Sequence, residues 1–276
     1  MSQTSHPPLA DGVLVVNLDD RPDRWAAFLI DIAPLLLPAE PERLSAVKGI
    51  DLPGFGQAPY FRGRSRDRTW AGRAGCALSH REAISTAAAR NWRSVLILED
   101  DVEITPDFQR VVPNLSEKLT QLDWDVCYLG FTDPIGPFRR LAELGQQHAL
   151  HQIYGCNTTH AYLVKDRAYD FLLRKLPSRE NIWTWITRYR AIDRWYARTL
   201  SRDLTVLAVS PSLLNQRQDV SDITGRPAEA GHITAIATAQ SRVLPYDLAK
   251  ALRTAAHSFG GSYDALRGII KRQKGF

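Results

Sequence analysis

The chain has 276 residues, 44% of them hydrophobic and 24% charged, with 35 Lys and Arg against 30 Asp and Glu for a formal charge of +5. This composition excludes a wholly disordered chain, and the length suits one large domain or a domain with a helical appendage. The mild basic excess fits an anionic ligand or surface, but it lacks the dense Lys/Arg blocks of a nucleic-acid binder, so no nucleic-acid partner is expected.

Residues 1–12, MSQTSHPPLADG, have no basic start and no apolar run, and read as a disordered N-terminus rather than a signal peptide. VLVVNL (13–18) is a buried strand, and RPDRWAAFLIDIAPLLL continues it as a helix with Pro22 in the first turn and Asp19 or Asp20 as its cap. A second strand is expected at 43–49. LPGFGQAPYFRGRSRDRTW then reads as a long surface loop, a length uncommon unless the loop is functional. Residues 69–90 are Ala-rich and helical, and SVLILED is a strand buried on both faces. TPDFQRVVPNLSEKL predicts a helix capped by Thr105 with Pro106 at its first position.

WDVCYLG, THAYLVKD and LTVLAVSP read as further strands, and RAYDFLLRKL as a helix. ENIWTWITRYRAIDRWYARTLSR is one long aromatic helix or a pair, 216–231 has loop composition, and the remainder is helical with a basic tail. Strand and helix alternate, which predicts an α/β fold with a mostly parallel central sheet flanked by helices. The expected division is a catalytic-type domain over 13–230 and a helical extension over 231–276. Three cysteines without CxxC spacing, no membrane-length apolar stretch and no leader together predict a cytoplasmic protein. The sequons at Asn114 and Asn157 then carry no weight.

The chemistry concentrates in SVLILEDDVEI (94–104), where a strand ends in Glu99, Asp100 and Asp101. In open α/β sheets ligands sit beyond the carboxyl ends of the strands. Adjacent carboxylates stay ionised there when a hard divalent cation, Mg²⁺ or Mn²⁺, lies against them with phosphates completing its shell. A solvated acidic turn or a capping cluster before the next helix is the alternative.

VLVVNLDDRPDRW, GCALSHREAI and VLILEDDVEI, in that order, together with AYLVKDRAYDFLL, the Asp of RAIDRWY and SDI at 221–223, resemble glycosyltransferase family 25. The likeness spans roughly residues 13–223. It implies a GT-A-type nucleotide-sugar-binding fold and an inverting, metal-dependent transfer, commonly from UDP-galactose, to a saccharide such as a lipopolysaccharide or lipooligosaccharide precursor. A protein, peptide or small-molecule acceptor, or an inactive nucleotide-binding relative, are the alternatives. Carried onto this chain, Asp101 is the metal ligand, Glu99 and Asp100 contact the ribose or hold the loop, and Asp193 is the base.

Asp193 competes with a surface ion pair to Arg190, Arg194 or Arg198, and Trp183, Trp185, Trp195 and Tyr196 around it suit either a sugar platform or the core. Asn17, Asp19 and Arg24 follow the first strand, where a nucleotide base or ribose would rest, while Asp20 and Asp23 read as helix-capping residues. Gly75 fits close packing against the nucleotide loop, and Ser79 and His80 bond either the ligand or the acidic strand end. Arg73 stands where the family usually carries Glu. His160 is a candidate substrate contact or third metal ligand, and Cys76 a small buried hydrophobe. Ser221 and Asp222 lie in a Gly/Pro-rich segment able to order over a bound donor. The basic stretch 62–73 and the KRQK tail suit anionic lipid headgroups or a phosphorylated glycolipid acceptor, with any attachment peripheral.

Overall fold

The structure is a computed structural model that describes residues 7–32, 37–145, 147–217, 223, 234–236 and 244–276, excluding the side chain of Phe259. In chain order its elements are β1 (Gly12–Asn17), α1 (Pro22–Ile32), β2 (Pro41–Ser45), α2 (Asp67–Ala89), β3 (Ser94–Glu99), β4 (Val102–Ile104), α3 (Phe108–Gln121), β5 (Val126–Glu143), β6 (Ala149–Lys165), α4 (Asp166–Lys175), α5 (Ile182–Tyr189), α6 (Ile192–Asp203), β7 (Val206–Ser210), β8 (Leu214–Gln216) and α7 (Tyr246–Lys274).

Six strands form one sheet in the order β2-β1-β3-β6-β5-β7. β1 pairs in parallel with β2 and β3, and β5 in parallel with β7; β6 runs against both β3 and β5. Five strands therefore point one way, as the alternation of strand and helix predicts. β4 and β8 form a separate antiparallel pair.

The sheet is apolar on both faces because successive side chains point to opposite sides. Val13, Val15, Leu96 and Leu98 face a core shared with Phe28 of α1 and Phe108, Val111 and Leu115 of α3. Leu14, Val95 and Ile97 face a second core that includes Ala74, Ala77 and Leu78 of α2 and residues of α4, α5 and α6. Runs without alternation such as VLIL are thereby explained: neither face sees water.

Several expectations shift. Leu9 and Ala10 are buried, and β1 already begins at Gly12, so the segment expected to be disordered is packed from at least Leu9. The second strand is Pro41–Ser45 rather than 43–49, and Ala46–Ile50 are freed to line a cleft. Thr105 does not cap α3: its N–H donates to Leu213 O, extending the β4 edge, and the helix starts at Phe108 with Asp107 at the N-cap. Pro106 has no N–H to give and sits in the intervening turn. The loop after β2 is anchored, since Leu52 and Phe61 are buried and Phe61 meets Trp183 edge-on at 4.7 Å.

The aromatic stretch is a pair of helices, broken at Arg190, whose φ of 76° no helix can continue. Trp183, Trp185, Trp195 and Tyr196 are all buried, so they serve as core rather than as a sugar platform. α7 packs on α5 and β5. Beyond α7, Phe276 is fully buried, stacked on Trp70 at 4.6 Å.

Candidate active site

A cleft of about 860 Å³ opens beyond the carboxyl ends of β1, β2 and β3. Its walls come from the β1–α1 turn (Asp20, Arg21, Arg24), the β2 exit (Val47, Lys48), α2 (Cys76, Ser79, His80) and the tip of β3 (Glu99, Asp100, Asp101). The far side is closed by Thr132 and Asp133 of β5, His160 of β6, and Asn215 and Gln216 of β8.

The three carboxylates at the β3 tip have three different environments. Glu99 accepts hydrogen bonds from His80 Nε2 (3.2 Å) and Thr159 Oγ1 (3.1 Å). Burial pushes its carboxyl up, but the bond and charge of His80, the charge of His160 and the Thr159 bond outweigh it and hold the group below its ordinary value. Asp100 accepts from Asn17 Nδ2 at 2.7 Å and from Arg24 at 3.2 Å, and burial still leaves its carboxyl raised.

Asp101 differs from both. Among the described residues its Oδ1 is buried without a hydrogen-bond partner, and Arg24 stands 3.9 Å from its other oxygen. Burial first, then the charges of Glu99 and Asp100, raise its pKa from 3.8 to about 7. A buried oxygen with no donor, next to two further carboxylates, is the environment a cation completes. The residues present therefore fit a hard divalent ion at Asp101.

A second donor set lies deeper. One ligand atom each from Cys76, His80 and Glu99 falls within 4.8 Å of the others, so this trio could also hold an ion. Its atoms are engaged, however: His80 Nδ1 bonds Tyr162 Oη at 2.9 Å, and its Nε2 meets Glu99. Burial, followed by Glu99, Asp193 and Asp101, drives the Cys76 thiol well above its ordinary range, so no thiolate is ready for a soft metal.

The remaining candidates divide between lining the cleft and supporting it. Asn17 is buried, giving hydrogens to Asp100 and to Arg21 O and accepting one from Arg43; it positions the β3 tip rather than meeting a ligand. Asp19 is turned to Arg43 and Ser45, outside the cleft lining. Asp20, expected as a cap, pairs with Lys48 at 2.6 Å across the cleft rim, and Asp23 pairs with Arg21.

Gly75 lets α2 approach the β2 exit, since a Cβ there would lie 2.2 Å from Val47 O. Ser79 clamps the same junction, donating to Gly75 O and accepting from Val47 N–H, both at 2.8 Å. His160 lines the cleft with both nitrogens engaged, Nδ1 by Thr158 Oγ1 and Nε2 by Leu214 O. Holding a metal as well would require breaking one of these bonds. Cys76 packs against the core as a small hydrophobe, but it is half-buried and also lines the cleft. Ser221 and Asp222 lie outside the described residues.

Asp193, at the first turn of α6, is not part of the cleft lining but lies within electrostatic reach of Glu99. Burial raises its carboxyl, offset in part by the bond from Arg194 N–H. Lys48, Thr132, Asp133, Thr159, Asn215 and Gln216 escaped sequence reasoning, and Arg68 of the basic stretch 62–73 lines the cleft. For Lys48, Thr132 and Asp133 the available signal was the rule already applied to β3, namely that each follows or lies along an apolar run near its carboxyl end.

Residues 11–129 match the family model described as "Glycosyltransferase family 25 (LPS biosynthesis protein)", which takes in the β1 turn, the α2 wall and the β3 tip. "Probable inactive glycosyltransferase 25 family member 3" of Rattus norvegicus is 36% identical over 231 residues, covering 77% of this chain and 39% of the relative. "Procollagen galactosyltransferase 1" of Danio rerio is 26% identical over 222 residues, covering 74% and 36%. The chain thus spans less than half the length of these curated relatives. Among solved structures, "Crystal Structure of A197 from STIV" aligns with a TM-score of 0.37 at 14% identity, over 82% of this chain and 96% of that one. The resemblance carried by the three ordered motifs is thereby shown: residues 11–129 match glycosyltransferase family 25.

Proposed function

We propose that this chain is an inverting, metal-dependent hexosyltransferase that moves galactose from UDP-galactose to a saccharide hydroxyl, with a lipopolysaccharide or lipooligosaccharide precursor as acceptor. Residues 13–230 form the catalytic domain and 231–276 its helical extension. The observation that carries the reading is the buried Oδ1 of Asp101, without a partner among the described residues, inside a cleft at the carboxyl ends of parallel strands. Asp101 would hold Mn²⁺ or Mg²⁺ there, and the ion would supply positive charge to the departing diphosphate.

The chain's own residues do the rest. Arg24 and Asn17 hold Asp100 so that the β3 tip keeps its shape. Arg21, Lys48 and Arg68 add positive charge along the cleft for the nucleotide phosphates. Asp193 takes the proton of the acceptor hydroxyl, and its raised pKa makes it a stronger base than a solvated carboxylate. Glu99 stays ionised, held by His80 and Thr159.

A cytoplasmic enzyme with peripheral membrane contact fits the outer surface. No described helix is long and apolar enough to cross a membrane. Yet Leu248, Leu252, Tyr263, Leu266, Ile269 and Ile270 of α7 are exposed, and at 100° per residue they fall on one face.

The test is thermal unfolding with UDP and Mn²⁺, paired with slow hydrolysis of UDP-galactose without acceptor. Joint stabilisation that Asp101→Asn abolishes, together with hydrolysis, supports the enzyme. Stabilisation without hydrolysis favours an inactive nucleotide-binding relative, and no stabilisation removes the reading.

A further inference from the structure

Around Asp193 the chain gathers positive charge from three helices and one junction. Arg73 comes from α2, Arg190 from the α5–α6 break, Arg194 and Arg198 from α6, and Arg267 and Lys271 from α7. Asp264 pairs with Arg198 at 2.9 Å and with Arg267 at 3.1 Å, and Asp193 faces Arg73 electrostatically. Among the described residues, Arg73, Arg190, Arg194 and Lys271 make no ion pair.

These cations are not spread over open surface, where solvent would dissipate their repulsion. Arg73, Arg190, Arg194, Arg267 and Lys271 are all half-buried. Among the described residues, Nε of Arg190 and Nε of Arg267 are buried with no hydrogen-bond partner. Two of the cations meet the Trp70 ring, Lys271 Nζ at 3.8 Å and the Arg73 guanidinium at 5.0 Å from its centroid. Arg190 holds its side chain here from a backbone at φ 76° and ψ −40°, a conformation unfavourable for a bulky residue. Strain of this kind persists where the surroundings over-determine it, and it clusters at ligand sites.

The electrostatic consequences agree with the geometry. Burial and then the neighbouring cations Arg190, Arg66, Arg267 and Arg73 bring Lys271 down to about 8, and burial followed by Arg194, Arg267, Arg73 and Arg198 lowers Arg190. Six cations converge here against two carboxylates, Asp193 and Asp264, an excess that a bound anion relieves.

We propose that this basin is an anion-binding subsite that seats an oxyanion group, phosphate or carboxylate, of the acceptor saccharide beside Asp193. The proposal rests on the hexosyltransferase reading for the word acceptor, but the basin's affinity for an oxyanion does not. Arg190 and Arg73 supply planar donor forks for two oxygens, and Lys271 a movable point charge. An acidic substituent held there leaves a neighbouring hydroxyl of the same sugar next to the Asp193 carboxylate.

The experiment uses the full chain and follows tryptophan fluorescence, since an anion drawing Lys271 and Arg73 off Trp70 changes its emission. Inorganic phosphate, glucose 6-phosphate, glucuronate and glucose are titrated with and without saturating UDP and Mn²⁺. Phosphate and glucose 6-phosphate are expected to bind in both conditions and glucose in neither; the glucuronate arm separates phosphate from carboxylate preference. Arg73→Glu should weaken phosphate binding at least tenfold.

Arg190→Gly should weaken phosphate binding at least tenfold while keeping or raising the melting temperature, because glycine relaxes the left-handed backbone. A merely structural arginine would instead lose melting temperature. Phosphate binding that UDP competes away, or that survives Arg73→Glu unchanged, overturns the proposal. Failure of UDP and Mn²⁺ to bind the wild-type chain counts against the glycosyltransferase reading alone, because the phosphate titration without nucleotide still reads the basin.

Discussion

Asp101 is costly to keep charged in the folded chain without a cation. Its folded pKa of about 7 lies above the ordinary 3.8, so the folded state holds a proton that the unfolded state has already released. The stability from that proton is present at acid pH and is lost as pH rises from about 4 through about 7. Asp101→Asn removes the penalty, and we expect the metal-free variant to melt ~4 °C above wild type at pH 8 and to match it near pH 4. A calorimetric pH series checks this, and equal melting temperatures at pH 8 would show that Asp101 is not strained. Mn²⁺ with UDP should stabilise wild type more at pH 8 than at pH 6, and should leave the variant unmoved.

Asn17 shows what sequence reading sees and misses at this scale. A polar residue after the first strand invites assignment to the nucleotide, yet its donors and acceptor are spent on Asp100, Arg21 and Arg43. Residue type revealed that a polar group belongs at that strand end, but not which way its amide faces. Asn17→Ala leaves Asp100 short of a buried donor and should cost about 2 kcal/mol in chemical denaturation.

At the scale of elements, the wall of the cleft depends on how closely α2 approaches the β2 exit. A methyl at position 75 has nowhere to go, because Val47 O and Gly49 N are both backbone atoms. Gly75→Ala should therefore displace Val47–Gly49, costing about 1–3 kcal/mol and weakening UDP binding well beyond that stability loss. Nucleotide affinity measured on the folded variant separates the two effects; unchanged affinity would mean that the β2 exit does not touch the donor.

The strands and helices flanking this wall were legible because each has a strong period or an unbroken apolar run. The limits of β2 and the start of α3 were not. Val47 and Thr105 leave their expected elements because groups elsewhere in the chain, the Ser79 hydroxyl and the Leu213 carbonyl, take their N–H groups. The β5–β6 hairpin between 132 and 157 was hidden for a related reason: its register shifts repeatedly, so side-chain alternation never settles into a readable pattern.

Across the whole molecule, α7 is amphipathic in an unusual sense. It packs on α5 with Gly268 against Arg188, while six large apolar side chains face outward. Arg62 and Arg64 hold the carbonyls of Gln273 and Lys274 at the helix end, adding basic groups beside that stripe. Vesicles containing anionic lipid should therefore co-sediment the protein, and Leu252→Glu with Ile270→Glu should reduce binding at least fivefold without changing UDP binding. Equal sedimentation of the double variant would leave the stripe without a membrane role.

The buried Phe276 ring closes an aromatic stack with Tyr60, Phe61 and Trp70, and its backbone N–H donates to Tyr60 O. Trp70 opens the helix whose later turns carry Cys76, Ser79 and His80, so the keystone for one bank of the ligand channel arrives some two hundred positions later in the polymer. Emptying that socket with Phe276→Ala should cost about 3 kcal/mol. It should also speed amide exchange in the first turns of α2 before it touches the strands. A translating ribosome would then expose a loosely hinged wall until its closing aromatic emerged.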